Sequence, residues 1–270
     1  MVSIWIAECI TVVTTRQHWK REEGMVKLVR VSDFFPRDIH NGLDFSIQIP
    51  EWAFRPDHWN AAFLRGLRRL SKHWSSLCLW EVGVGTGVNL LFLQRWVQGS
   101  TWYYSDYDPR CTLLATDNLK ATLRNPAYCC PLAGKWDLLT PPVDSSCIPP
   151  TVDVIFGCLP QVPDEEMDLS VGDRTAHYYN PLIYPKSQLH AIGLGLNEAL
   201  LEQARDVLIP GGTVALNLGG RPGLSRLNAM FQANGYQPEV IYEEIIPQHR
   251  GTSLSSLVAL EASGQSDFEF

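Results

Sequence analysis

A chain of 270 residues, 45% of them hydrophobic, is long enough to bury one sizeable core. Its formal net charge of −7 argues against a general phosphate-backbone binder, which needs a basic stripe. No apolar run approaches the ~20 residues of a membrane-spanning helix. Seven cysteines without C-x-x-C pairs or clustered histidines outline neither a metal site nor a disulfide framework, so reduced thiols and a cytoplasmic location are expected.

The opening stretch "MVSIWIAECITVVTT" lacks a basic leader and carries Glu8. Ile4, Ile6 and Ile10 alternate roughly, which predicts a strand. Met25, after "KREEG", is a second candidate start. Residues 1–44 therefore read as an N-terminal extension, partly strand, ahead of a main domain over 45–270.

"LCLWEVGVGTGVNLLFLQRWV", 77–97, runs from a buried strand through Gly83, Gly85 and Gly87 into a helical pattern from Val88. Such a unit cradles a ligand, because glycines allow close backbone approach and the helix start offers free N–H groups. The spacing is G-x-G-x-G, with Val88 where a dinucleotide fingerprint has its third glycine. Glu81 stands two residues ahead of the first glycine. The following strand, in "STWYYSDYDP", rises to Asp106, about twenty residues beyond the glycines, where a carboxylate can take two ribose hydroxyls. Asp108 before Pro109 reads as a helix cap. In "GKWDLLT", Asp137 ends a candidate third strand and could accept from an adenine amino group, with Trp136 or Leu138 over the ring.

"TVDVIF" is the fourth strand, and it opens into the turn "GCLPQ", 157–161. Further on, "LNEALLEQARDVLIPGGTVALNLGG" reads as helix, turn and strand, and "GLSRLNAMFQANGY" as a helix closed by Gly235. "PEVIYEEII" and "SLSSLVALEA" read as two strands joined by "PQHRGT". The alternation predicts an α/β doubly wound, Rossmann-like fold. It has a mostly parallel seven-stranded sheet and an antiparallel C-terminal hairpin.

The pattern Glu81-x-Gly83-x-Gly85-x-Gly87 resembles the first motif of class I methyltransferases that use S-adenosyl-L-methionine. That resemblance implies S-adenosyl-L-methionine as cofactor. Relatives that methylate adenine or glutamine amides carry Asn-Pro-Pro-Tyr at the fourth-strand turn. Here Cys158, Leu159, Pro160 and Gln161 replace it, so the clamp for an attacking amino group is broken. A thioether sulfur needs no such clamp and no general base, only in-line placement at about 3–3.5 Å and exclusion of water.

"GCLPQ", "GLGL" at 193–196, "NLGGRPG" at 217–223 and the terminal "LVALEASGQSDFEF" together resemble the methyltransferase domain of plant methionine S-methyltransferase and the stand-alone bacterial enzymes of dimethylsulfoniopropionate synthesis. "SIQIPEWAF", 46–54, resembles the family's entry segment. The plant members continue into a further large domain, whereas this chain ends at Phe270. The resemblance implies transfer of a methyl group to the sulfur of L-methionine, giving S-methylmethionine and S-adenosylhomocysteine. It assigns substrate positioning to Cys158, Pro160 and Gln161, with a small molecule as partner and neither nucleic acid nor membrane.

Arg221 could pair the methionine carboxylate, and its alternative role is to brace the glycine-rich loop. Asn217, Asn180 or a carbonyl of the 157–161 turn could take the ammonium. Trp52, Tyr178, Tyr179 and Tyr184 are candidates to face the sulfonium, or else they pack the lid. His177 and His190 are read as structural. Two alternatives remain: an N-methyltransferase acting on a glutamine or other amide, and a non-catalytic cofactor-binding or partner module. Oligomeric state is open, a homodimer being one option.

Overall fold

The computed structural model describes residues 26–123, 129–132, 151–161, 188–246 and 255–262. In chain order these hold β1 (Val26–Arg30), α1 (Arg37–His40), β2 (Ser46–Pro50), α2 (His58–Leu70), β3 (Cys78–Val82), α3 (Val88–Trp96), β4 (Thr101–Ser105) and α4 (Pro109–Thr122). They continue with β5 (Cys129–Pro131), β6 (Val152–Gly157), α5 (Gln188–Ala191), α6 (Gly195–Ala204), β7 (Leu208–Leu216), α7 (Leu224–Ala233) and α8 (Ser255–Ala262).

Five strands form one sheet in the order β5-β4-β3-β6-β7, and every pairing in it is parallel. β3 lies at the centre, flanked by the next strand along the chain on one side and by β6 on the other. This reversal of winding opens a crevice at the carboxyl ends of the strands. β1 and β2 form a separate antiparallel pair.

Both faces of the sheet are covered, so strand side chains are buried on alternating sides. Leu79, Trp102, Tyr104, Val154 and Phe156 face a core with Leu64, Leu67, Leu91 and Phe92 of α2 and α3. Cys78, Trp80, Val82, Tyr103 and Ile155 face the other, with Leu200 and Leu201 of α6 and Leu227 and Met230 of α7. Val31, Phe35 and Ile39 are buried in the first of these cores, as are Ile47 and Ile49 of β2.

The Rossmann-like α/β class read from the sequence is the fold observed. The closing hairpin is not. Residues 255–262 are helical, not a strand. Leu, Ala and Glu in "LVALEA" are strong helix formers, and a short apolar run does not distinguish helix from strand by periodicity. Residues 237–246 form no strand either. They run along α2, where Arg65 pairs with Glu244 at 2.6 Å and donates to Asp38 at 2.8 Å. Arg69 stacks on the Tyr242 ring at 4.6 Å and donates to the Ile241 carbonyl. The parallel sheet therefore has five strands among the described residues, and the antiparallel pair lies at the N-terminal side. The strand expected over residues 1–15 falls outside the described residues.

Candidate functional site

The carboxyl ends of β3, β4, β6 and β7 meet along one edge of the sheet. Chain order brings Glu81 to Gly87, Asp106, the 157–161 turn and the 217–223 loop to that edge, far apart in sequence and adjacent in space.

The glycine loop is built as the spacing predicts. Gly85 and Gly87 take φ values of +52° and +77°, a region side chains rarely adopt. A Cβ on Gly87 would stand 3.0 Å from the Ala115 Cβ, so this glycine lets α3 start against α4. A Cβ on Gly85 would meet nothing within 4 Å among the described residues, so none of them fills this side of the loop.

Two buried acids flank the loop. Asp106 is 2% exposed and accepts from the Gly85 N–H at 2.9 Å and the Asp108 N–H at 3.0 Å. Burial pushes its carboxyl up to about 6, against the pull of those two donors. Asp108 caps α4 through the Arg110 N–H and pairs with the Arg110 guanidinium at 2.7 Å, which confirms it as the cap. Glu81 is 1% exposed. Asn89 donates to its Oε1 at 2.8 Å, while Oε2 is buried without a hydrogen-bond partner among the described residues. Burial lifts the Glu81 carboxyl to about 8; the Asn89 amide lowers it and the Asp106 charge raises it.

At the mouth of β6 the turn is tied to the β7 loop. The Asn217 N–H donates to the Gly157 carbonyl at 3.1 Å, and the Gly219 N–H donates to Gln161 Oε1. Asn217 Nδ2 reaches both the Trp59 carbonyl, at 3.0 Å, and Cys158 Sγ, at 3.3 Å. Leu159 is buried beside Gly83 and Gly157. Burial pushes the Cys158 thiol up to about 11, so it stays neutral near pH 7.

Of the residues singled out by sequence, Glu81, the three glycines, Asp106, Cys158, Pro160, Gln161, Asn217 and Arg221 fall on this edge. Arg221 is half-buried in the turn closed by the Gly223 N–H on the Gly220 carbonyl. Trp52 lies elsewhere along it, its ring covered at 4.6 Å by Arg110 at the start of α4. His190 is buried against Gly195, with the Glu198 carboxylate at 4.0 Å. Asp137, Tyr178, Tyr179 and Tyr184 lie outside the described residues, as do His177 and Asn180.

Three contributors went unread in the sequence. Asn89 holds Glu81, and its signal was one amide inside the apolar run "VNLLFL". Asn118 shared the apolar face of α4 with Leu114, Ala115 and Leu119. It accepts from the Gln48 N–H at 2.7 Å and donates to the carbonyls of Gln48 and Thr86. Asp57 starts α2 with a capping box, for which "DHWN" was the signal. Among the described residues no group of three or more His, Cys, Asp or Glu is placed to hold a metal ion, and no helix is long and apolar enough to cross a membrane.

The strand order and the glycine-to-helix cradle define a fold of the class I methyltransferase type. A crystal structure of a SAM-dependent methyltransferase from Agrobacterium tumefaciens shares it, with a TM-score of 0.50 at 14% identity over 80% of this chain and 60% of that one. No protein-family model matches the chain. Among curated proteins it is similar to methionine S-methyltransferases. That of Zea mays is 26% identical over 250 residues and that of Hordeum vulgare 27% over 251, each match covering 83% of this chain. Each match takes up 22% of the relative, so the chain spans about a fifth of the length of these proteins. The resemblance read from "GCLPQ" and "NLGGRPG" thus extends over most of the chain.

Proposed function

We propose that this chain is a methyltransferase that uses S-adenosyl-L-methionine and methylates the thioether sulfur of L-methionine, giving S-methylmethionine and S-adenosylhomocysteine. The observation that carries the reading is the pair of buried acids around an open glycine loop. Glu81 keeps an oxygen in the interior without a partner among the described residues, where a cationic or donor group from a ligand would offset its burial and favour its charged form. Asp106 is held by two backbone donors and its oxygens retain lone pairs for ribose hydroxyls. These residues fit the cofactor: Glu81 suits its ammonium, Asp106 its ribose and the Gly83–Gly87 loop its close approach. When bound, S-adenosyl-L-methionine supplies an electrophilic methyl group on a sulfonium.

The chain's own residues then position and shield. The 157–161 turn, braced by Asn217 and Gly219, fixes the side of the mouth from which an acceptor approaches. Leu159 keeps water from the inner wall. Cys158 remains a neutral thiol and does not compete for the methyl group as a thiolate. A thioether acceptor carries no proton, so this reading asks for no general base. Arg221, in the adjoining loop, is assigned the substrate carboxylate. The similarity to methionine S-methyltransferases supports methionine as the acceptor.

The test is to incubate the protein with methyl-labelled S-adenosyl-L-methionine and L-methionine, then identify the product by mass. S-methylmethionine is the expected product. Methylation of glutamine amides instead, or cofactor binding without transfer to any acceptor, would overturn the reading.

A further inference from the structure

The Asn217 side chain has a fixed orientation. An amide carries two N–H hydrogens and one acceptor oxygen. Both hydrogens are used, on the Trp59 carbonyl at 3.0 Å and on Cys158 Sγ at 3.3 Å. Turning the amide over would set its oxygen against the Trp59 carbonyl oxygen, so the arrangement is not reversible. Oδ1 is therefore presented as an acceptor at the mouth of β6 and β7.

A second acceptor lies at the start of α2, the element that Asn217 holds. Asp57 caps α2 two residues ahead of Trp59. Its Oδ1 accepts from the Trp59 N–H at 2.9 Å and the Asn60 N–H at 3.4 Å, whereas Oδ2 carries no hydrogen bond from the described residues. The residue is exposed. The charges of Asp57 and Glu81 both act on the Cys158 thiol and help to raise it, which places Asp57 within electrostatic reach of the turn. An amide oxygen and a carboxylate oxygen, with no cation described between them, complement a positively charged group with several donors.

We infer that Asn217 Oδ1 and Asp57 receive the α-ammonium of the acceptor, so that the site takes a free α-amino acid thioether and discriminates against N-blocked or deaminated analogues. This rests on the methyl-transfer reading above. It adds to that reading a specificity determinant, Asp57.

The test compares L-methionine, N-acetyl-L-methionine and 4-(methylthio)butanoate as acceptors in wild type, Asp57→Asn and Asn217→Ala. Asparagine at 57 keeps the helix cap and removes the charge. Wild type should favour methionine over both analogues by about a hundredfold in kcat/KM, and Asp57→Asn should cut that preference about tenfold, mainly through KM, as expected for a lost charge-assisted bond. Its affinity for S-adenosylhomocysteine, read by calorimetry, should stay within about twofold, since a uniform loss would signal a general structural role. Asn217→Ala should weaken the preference further; if it does not fold, Asp57→Asn decides alone. A folded Asp57→Asn enzyme that methylates methionine with the full preference intact overturns this inference and leaves the proposed function standing. Wild type that methylates no thioether overturns both.

Discussion

Asp106 shows how much of the site one side chain carries. Its two oxygens are already aligned by the Gly85 and Asp108 N–H groups, so a ligand meets a carboxylate that has no rotamer left to choose. Asp106→Ala removes that acceptor and also releases the Gly85 N–H, which the acid holds in register. Charge-assisted hydrogen bonds are worth about 1.5–3 kcal/mol each. S-adenosylhomocysteine affinity should therefore fall at least about tenfold in titration calorimetry. Unchanged affinity would place the ribose away from this edge. Its place was legible, because the acid follows directly on the strand after the glycine loop and so meets that loop. Asn89 was not legible, since an amide in a helix is ordinary until the acid it faces is known.

Elements are placed by contacts that strand and helix patterns do not encode. Asn118 illustrates this, because one buried amide joins α4, β2 and the Thr86 carbonyl of the glycine loop. Asn118→Ala strands the backbone N–H and C=O of Gln48 and should destabilise the fold by about 1–3 kcal/mol in urea unfolding. It should also weaken S-adenosylhomocysteine binding, since the loop loses its anchor; a stability loss alone would make Asn118 a brace for β2 only. Gly87 is the complementary case, already visible in the sequence. Alanine there is strained at φ +77° and meets Ala115 at 3.0 Å, so α3 and α4 must part. We expect Gly87→Ala to cost about 1–3 kcal/mol, read from the denaturation midpoint; wild-type stability would mean the helices give way freely. The parallel strands and their helices were readable because buried runs alternate with amphipathic ones. The C-terminal elements were not. There "PEVIYEEII" looks like a strand, but Arg65 and Arg69, four residues apart on α2, take its side chains and one of its carbonyls.

At the scale of the whole molecule, burial of two acids at one edge makes stability depend on pH in a direction opposite to the usual one. Asp106 is raised to about 6 and Glu81 to about 8, in each case chiefly by burial. Unfolded, the two titrate near 4. Between those limits the folded chain holds more protons than the unfolded one, so stability declines as pH rises. The contribution is complete below about pH 4 and lost in two stages, through about 6 and then about 8. Asp38 works the other way, because the Arg65 guanidinium beside it holds its carboxyl low. That stabilisation is present above the ordinary Asp range and is lost only at acid pH, outside this window. The buried thiols of Cys78 and Cys158, raised to about 12 and 11, act above it. Thermal melts of the ligand-free protein should therefore show a melting temperature that falls steadily from pH 5 to 8.5. Glu81→Gln should flatten the upper half of that slope, because an amide is neutral throughout. A ligand that sets a cation against Glu81 should flatten it too, by restoring the charged form's partner. A profile that rises with pH, or one left unaltered by Glu81→Gln, would show that the acid is solvated in the folded chain.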